Sequence, residues 1–94
     1  MRVTVRFFAT LRDFVGDSSL DLTVSNGSSV QQILESLSER FGHNFRQYVY
    51  DESGTVHEYL IFLVNGESIQ ALNGLETKMK EADTLVILPP AGGG

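Results

Sequence analysis

Apolar and polar side chains alternate along the first nine residues. Val3, Val5 and Phe7 fall on one side and Arg2, Thr4, Arg6 and Phe8 on the other, a period of two that predicts a half-buried strand. The alternation returns in Leu20-Asp21-Leu22-Thr23-Val24, after the turn residues Gly16-Asp17-Ser18-Ser19, and predicts a second strand closing a hairpin on the first. Residues 11–14 leave room for one helical turn between them, and Asn26-Gly27 ends the unit. The period then changes. Val30, Ile33, Leu34, Leu37 and Phe41 form one apolar stripe at helical spacing. Ser28 or Ser29 is placed to cap this helix, with Gln31 or Gln32 as the capping-box partner, and Gly42 to end it. Glu35 and Glu39 fall on its solvent side.

Residues 43–58 are less regular. Asp51-Glu52-Ser53-Gly54 reads as a turn across which Tyr48-Val49-Tyr50 and Thr55-Val56-His57 pair as a small extra hairpin. Tyr59-Leu60-Ile61-Phe62-Leu63-Val64 is a strongly apolar strand, followed by Asn65-Gly66 as a hairpin turn and residues 67–70 as a short edge strand. Leu72-Asn73-Gly74-Leu75 reads as a loop, residues 79–83 as a turn and residues 84–88 as a last strand. Pro89-Pro90 stops pairing, because proline has no N–H to donate. Ala91-Gly92-Gly93-Gly94 is expected to be a flexible tail. The order β-β-α-β-β-β predicts an α+β domain over residues 1–94: a mixed five-stranded sheet with one main helix on one face, joining strands that can lie parallel, and residues 89–94 as its tail.

Composition narrows the function classes. Apolar residues at 41% and charged residues at 20% suit a single compact domain rather than a disordered chain. Twelve acidic against seven basic residues give a net charge of −5, so phosphate backbones and anionic lipid are not expected partners, and a basic groove on another protein is a better one. With no cysteine there is no disulfide, thiolate nucleophile or thiolate metal site, which fits a reducing compartment. The longest apolar run, residues 59–64, is far shorter than a membrane span, and the first residues lack the apolar core of a signal peptide; a cytoplasmic protein is expected.

Little in the body of the chain suggests catalysis. His43 and His57 are the only histidines, and neither has an acid or nucleophile at dyad spacing; both read as solvent-exposed loop residues. The glycines follow no dinucleotide or phosphate-loop spacing, and two distant histidines make no metal site. The end of the chain is different. Three glycines after a strand and two prolines are either a frayed terminus or a segment suited to insertion, since glycine without a Cβ passes a channel that side chains would block.

Several segments carry a resemblance. Arg6-Phe7-Phe8-Ala9-Thr10-Leu11-Arg12, the helix opening at Ser28-Ser29-Val30, Val64-Asn65-Gly66, Gly74-Leu75-Glu76-Thr77-Lys78-Met79 and above all Asp83-Thr84-Leu85-Val86-Ile87-Leu88-Pro89-Pro90-Ala91-Gly92-Gly93-Gly94 resemble the small subunit of molybdopterin synthase. That family is part of the ubiquitin-like β-grasp sulfur carriers, with the thiamine-pathway carrier, cysteine-pathway carriers and archaeal ubiquitin-like modifiers. The match covers essentially the whole chain in order. Two features depart from it. Gly92 adds a third glycine where family tails often carry a bulkier residue, although two residues still separate Pro90 from Gly93-Gly94. Residues 43–58 are absent from the shortest members and resemble the longer branch of cysteine-pathway and archaeal proteins, which leaves the pathway open.

The resemblance implies that the chain is a carrier and not an enzyme. A ubiquitin-activating-type enzyme would use ATP and magnesium to adenylate the Gly94 carboxylate, and a sulfur donor would replace AMP to leave a thiocarboxylate. The tail, Gly92, Gly93 and Gly94, would then enter the large subunit of molybdopterin synthase and deliver sulfur to precursor Z. The carrier itself would bind no cofactor or metal. Alternatives remain within the same resemblance: an isopeptide from Gly94 to lysines of target proteins, or sulfur delivery for cysteine or thiamine synthesis. A plain binding module with an accidental tail is a third possibility. Docking is expected on the sheet. If Val3, Val5, Phe7, Leu85 and Ile87 face the helix, then Phe8, Val86 and Leu88, joined by Ile61 and Leu63, face outwards, unless residues 43–58 cover them.

Overall fold

A computed structural model describes residues 1–89. Five strands form one mixed sheet: β1 (Arg2–Phe7), β2 (Ser19–Thr23), β3 (Ile61–Val64), β4 (Glu67–Ser68) and β5 (Thr84–Leu88), in the order β2-β1-β5-β3-β4. β1 and β5 lie parallel at the centre, with Arg6 opposite Val86 and Phe7 opposite Ile87. β2 is antiparallel to β1 and β3 antiparallel to β5, so β2 and β3 run in the same direction with two strands between them. Asn65 and Gly66 make the tight turn between β3 and β4, both at positive φ (51° and 85°), as a two-residue hairpin of this hand requires.

One face of the sheet is covered by helices. Alternation along the strands turns Val3, Val5, Phe7, Leu22, Phe62, Val64, Leu85 and Ile87 to that side, and all are buried. Val30, Ile33, Leu34 and Leu37 of α2 (Val30–Phe41) complete the core. Ser29 caps α2: its hydroxyl accepts from the Gln32 N–H at 3.2 Å and its own N–H donates to the Gln32 side chain at 2.8 Å, the predicted capping box. Removing such a cap costs about 1 kcal/mol.

Two further helices were not expected as such. Residues 9–15 form α1 (Ala9–Val15), two turns rather than the single turn read from residues 11–14, because Leu11 is buried and Phe14 meets Tyr48 edge-on at 6.0 Å. Tyr48 and Val49, expected in an extra hairpin, belong instead to α3 (His43–Val49), which packs against α2 and α1. Phe45 and Val49 lie four apart, one helical turn, and are both fully buried in the face that α3 packs on its neighbours. Of the hairpin only an isolated bridge between Tyr50 and Val56 remains, around the Asp51 turn.

Gly42 does not simply end the helical stretch. With φ 81° and ψ −148° it occupies a region open essentially to glycine alone, and it joins α2 to α3 in one step. Two smaller corrections concern the last third of the chain. The edge strand expected over residues 67–70 is only two residues long, and a 3-10 turn, Ile69–Ala71, follows it. The loop at residues 72–75 contains most of a second 3-10 turn, Gly74–Glu76.

Candidate functional site

β5 is the element that aims the end of the chain. It is a central strand, held by β1 on one side and β3 on the other, and the chain passes from Leu88 into Pro89 at the limit of the description. Gly92, Gly93 and Gly94, the expected site of chemistry, lie outside the described residues.

Five other candidates are brought together at this exit. Val86 and Leu88 point away from the helices because Leu85 and Ile87 point toward them. The ladder sets Leu63 opposite Val86 and Ile61 opposite Leu88, so the four form two adjacent pairs on the helix-free face. Phe8 follows the Phe7–Ile87 pair, is still extended (φ −135°, ψ 156°), and so joins the same face beside the end of β5. Ile61 is 38% exposed, and Phe8, Leu63, Val86 and Leu88 are half-buried. Residues 43–58 do not roof this strip: α3 packs on the helical side, against α2 and α1.

Charge frames the strip. The Arg6 guanidinium lies over the Phe8 ring, 5.4 Å from its centre, an attraction worth about 0.5–1 kcal/mol at exposed sites. Farther along the face Thr4 donates to Asp21 at 2.8 Å, and Arg2 pairs with Asp21 at 3.5 Å. That ion pair is exposed, so it is worth little in stability. Ala9, the residue after Phe8, has φ 51°, unusual for a residue with a Cβ. The reversal carries the chain off the sheet immediately after the Phe8 ring is placed.

The remaining candidates lie elsewhere. His43 opens α3 and is exposed, whereas His57 is half-buried and stacks on Tyr59 with ring centres 4.6 Å apart. A cleft of about 820 Å³ beside α2 and α3 is lined in part by Glu35, Arg46, Tyr50 and His57. Burial pushes the Tyr50 phenol up from its ordinary value, and Gln31 donates to its oxygen at 3.3 Å. Neither histidine has a nucleophile paired with it in the structure's hydrogen bonds. Among the described residues no three His, Cys, Asp or Glu side chains are grouped to hold a metal ion. No helix among them is long and apolar enough to cross a membrane.

Known proteins share both sequence and shape with this chain. The ThiS family matches residues 5–94. Small archaeal modifier protein 3 of Haloferax volcanii is 31% identical over 94 residues, which is the whole of both chains. The solution structure of small archaeal modifier protein 1 from Methanosarcina acetivorans superposes with a TM-score of 0.84 at 32% identity, covering 99% of this chain and 96% of that one. In the crystal structure of the Amycolatopsis orientalis BexX/CysO complex, a chain 31% identical superposes with a TM-score of 0.76, covering 98% of this chain and 99% of that one. With a ubiquitin-like β-grasp fold and a family match that runs through the terminal glycines, the chain belongs to the ThiS family of small sulfur carriers and modifiers.

Proposed function

We propose that the chain is a cytoplasmic carrier of activated sulfur, working through the Gly94 carboxylate and docking by the apolar strip at the end of β5. The strip is the observation that carries the proposal. Phe8, Ile61, Leu63, Val86 and Leu88 stand on the open face of the sheet, beside the strand that leads to the glycines. A partner that covered them would hold the globule while the tail entered its active site.

The chemistry begins with an inert group. A carboxylate is unreactive toward nucleophiles until an oxygen is made a leaving group. A ubiquitin-activating-type enzyme would supply ATP and magnesium, the Gly94 carboxylate would attack the α-phosphate, and pyrophosphate would leave. Sulfide-level sulfur then attacks the acyl carbon, the C–O bond to AMP breaks with AMP keeping the electron pair, and a glycine thiocarboxylate results, softer and more nucleophilic than the carboxylate. As the small subunit of a molybdopterin synthase, the chain would deliver that sulfur to precursor Z in the large subunit. Catalytic groups, including those that stabilise charge in the transfer, belong to the partners.

A second fate for the same adenylate is supported by the full-length likeness to a protein named as a small archaeal modifier. In that case a target lysine takes the acyl group and an isopeptide forms. The likeness to a chain crystallised in the BexX/CysO complex keeps sulfur delivery to other acceptors, as in cysteine or thiamine synthesis, within the same proposal.

ATP–pyrophosphate exchange with the cognate activating enzyme tests the shared step. Deleting Gly94 withdraws the carboxyl by one extended residue, roughly 3.3–3.6 Å, and should abolish exchange, as should Gly93→Val or a one-residue extension. Full exchange by the deletion and extension variants would remove carrier and modifier alike. Intact mass from the native host separates their fates: replacement of one oxygen by sulfur marks the carrier, and Gly-Gly remnants on lysines of other proteins mark the modifier.

A further inference from the structure

An open sheet has two edges, and this fold treats its own two differently. At one edge β4 is only two residues long, and the chain leaves it at once for the 3-10 turn Ile69–Ala71, so little backbone is offered there. At the other edge β2 runs from Ser19 to Thr23 without a proline. Its pairing with β1 continues without a bulge from Phe7 and Ser18 to Met1 and Val24. Short length, prolines and bulges make an edge unattractive to other chains, and β2 has none of them.

The hydrogen bonds fix which backbone groups this edge offers. Met1 and Val24 exchange two: the Met1 amino group donates to the Val24 carbonyl at 2.7 Å, and the Val24 N–H to the Met1 carbonyl at 2.8 Å. Such pairs alternate along an antiparallel ladder, so Leu22 and Leu20 bond inward to Val3 and Val5. The far side of β1 agrees, because the Thr4 N–H and the Arg2 carbonyl bond to Asp83 and Ala82 beside β5. Ser19, Asp21 and Thr23 therefore turn their N–H and C=O groups away from the sheet, and all three residues are exposed. Among the described residues no hydrogen bond uses those three N–H groups.

Charge indicates what fits there. On the helical side of the edge a groove of about 660 Å³ lies between Thr23 and Ser25 on one wall and Gln32, Glu35 and Glu39 of α2 on the other. Both glutamates are exposed, neither makes an ion pair among the described residues, and no lysine or arginine lines the groove. Asp21, on the open face of the sheet, is already engaged by Thr4 and Arg2. A second copy of this chain is a poor occupant, since it would bring the same glutamates and a net charge of −5 against them. An extended segment with lysine or arginine at alternate positions fits both features, because every second side chain of a strand falls on one face.

We propose that the free edge of β2 is a second docking site, which takes an extended basic segment of a partner protein as a sixth strand. The segment's backbone pairs with Ser19, Asp21 and Thr23, and its alternate cationic side chains lie over Glu35 and Glu39. This site does not rest on the role proposed for Gly94. β1 separates β2 from β5, which puts the edge about 10 Å from the strand that leads to the tail. The groove is on the helical side and the apolar strip on the opposite face, so a segment held at the edge leaves the strip open to another partner.

The probe is a capped heptapeptide alternating lysine with threonine, added to the full chain at low salt and followed by amide hydrogen exchange in NMR. A peptide alternating glutamate with threonine is the control. In the free protein the Ser19, Asp21 and Thr23 amides should exchange fast and those of Leu20 and Leu22 slowly. The lysine peptide should slow exchange at Ser19, Asp21 and Thr23, a pattern of every second amide that diffuse charge attraction does not produce, and the glutamate peptide should leave it unchanged. The Glu35→Gln/Glu39→Gln double variant, still folded by circular dichroism, should bind the lysine peptide roughly two- to tenfold more weakly. No binding of the lysine peptide, binding without the alternating protection, equal effects of both peptides, or unchanged affinity in the double variant overturns the inference. Protection of the three edge amides that grows with the concentration of the protein alone also overturns it, and assigns the edge to a second copy.

Discussion

Phe8 combines three constraints in one side chain: it continues the alternation of β1, it carries the Arg6 guanidinium on its ring, and it is followed by the reversal at Ala9. A side chain so fixed loses little freedom when a partner covers it, which favours it as an anchor. Phe8→Ala is expected to weaken binding to the activating enzyme about fivefold or more, the effect of a residue worth more than about 1 kcal/mol in an interface. Leu88→Glu should do the same by burying a charge. Titration calorimetry on both variants, with circular dichroism to confirm the fold, decides; unchanged affinity in both would take the strip out of the site. Asp51 works at the same scale. The Ser53 hydroxyl, and then the Thr55 and Ser53 N–H groups, donate to its carboxylate at 2.7–3.0 Å and hold its pKa below the ordinary 3.8. A depressed carboxyl stabilises the folded loop above its unfolded value and loses that effect as pH falls through the folded one. Amide exchange at Ser53 and Thr55 should therefore gain protection from Asp51 near neutral pH and lose it in acid below that value, and Asp51→Ala should be unprotected throughout.

Elements differ in how far their residues reveal them. α2 was legible because five apolar residues at helical spacing, a capping box and Gly42 agree, and the structure buries four of the five. Leu34 is fully buried there, and Leu34→Ala should destabilise the fold by about 2–5 kcal/mol in chemical denaturation. A midpoint like that of wild type would place α2 on the wrong side of the sheet. α3 was not legible as a helix. Tyr48-Val49-Tyr50 has strand propensity, and within seven residues the competing signal is only the spacing of Phe45 and Val49, which gains weight once Phe41, 6.1 Å from Phe45, is known to be at the end of α2. α1 was half legible for a related reason: Gly16 marks its end, but its length depends on Tyr48 from the element that was missed. The outward strip was legible from alternation alone. Whether residues 43–58 would cover it was not, because that depends on which side of the sheet α3 packs.

The whole molecule sets the directions in which it can be approached. Helices occupy one face, the apolar strip the other, and the parallel central strands give the sheet two unlike poles. That parallel pairing also has a mechanical consequence. Tension applied between Met1 and the C-terminal tail draws β1 and β5 in opposite directions along their shared axis, so their inter-strand hydrogen bonds are loaded together in shear rather than peeled one by one. Moving the tail attachment point to Val24, which is hydrogen-bonded to Met1 at the open end of the hairpin, should let the β1–β2 hairpin open like a zipper, starting from the Arg2–Thr23 pair. Single-molecule stretching is expected to show a clearly higher rupture force for the end-to-end geometry than for one handle at Val24 and one at Met1. On the proposed reading the tail is the working end of the chain, and an unfoldase hauling on it would load the parallel β1–β5 pair in shear.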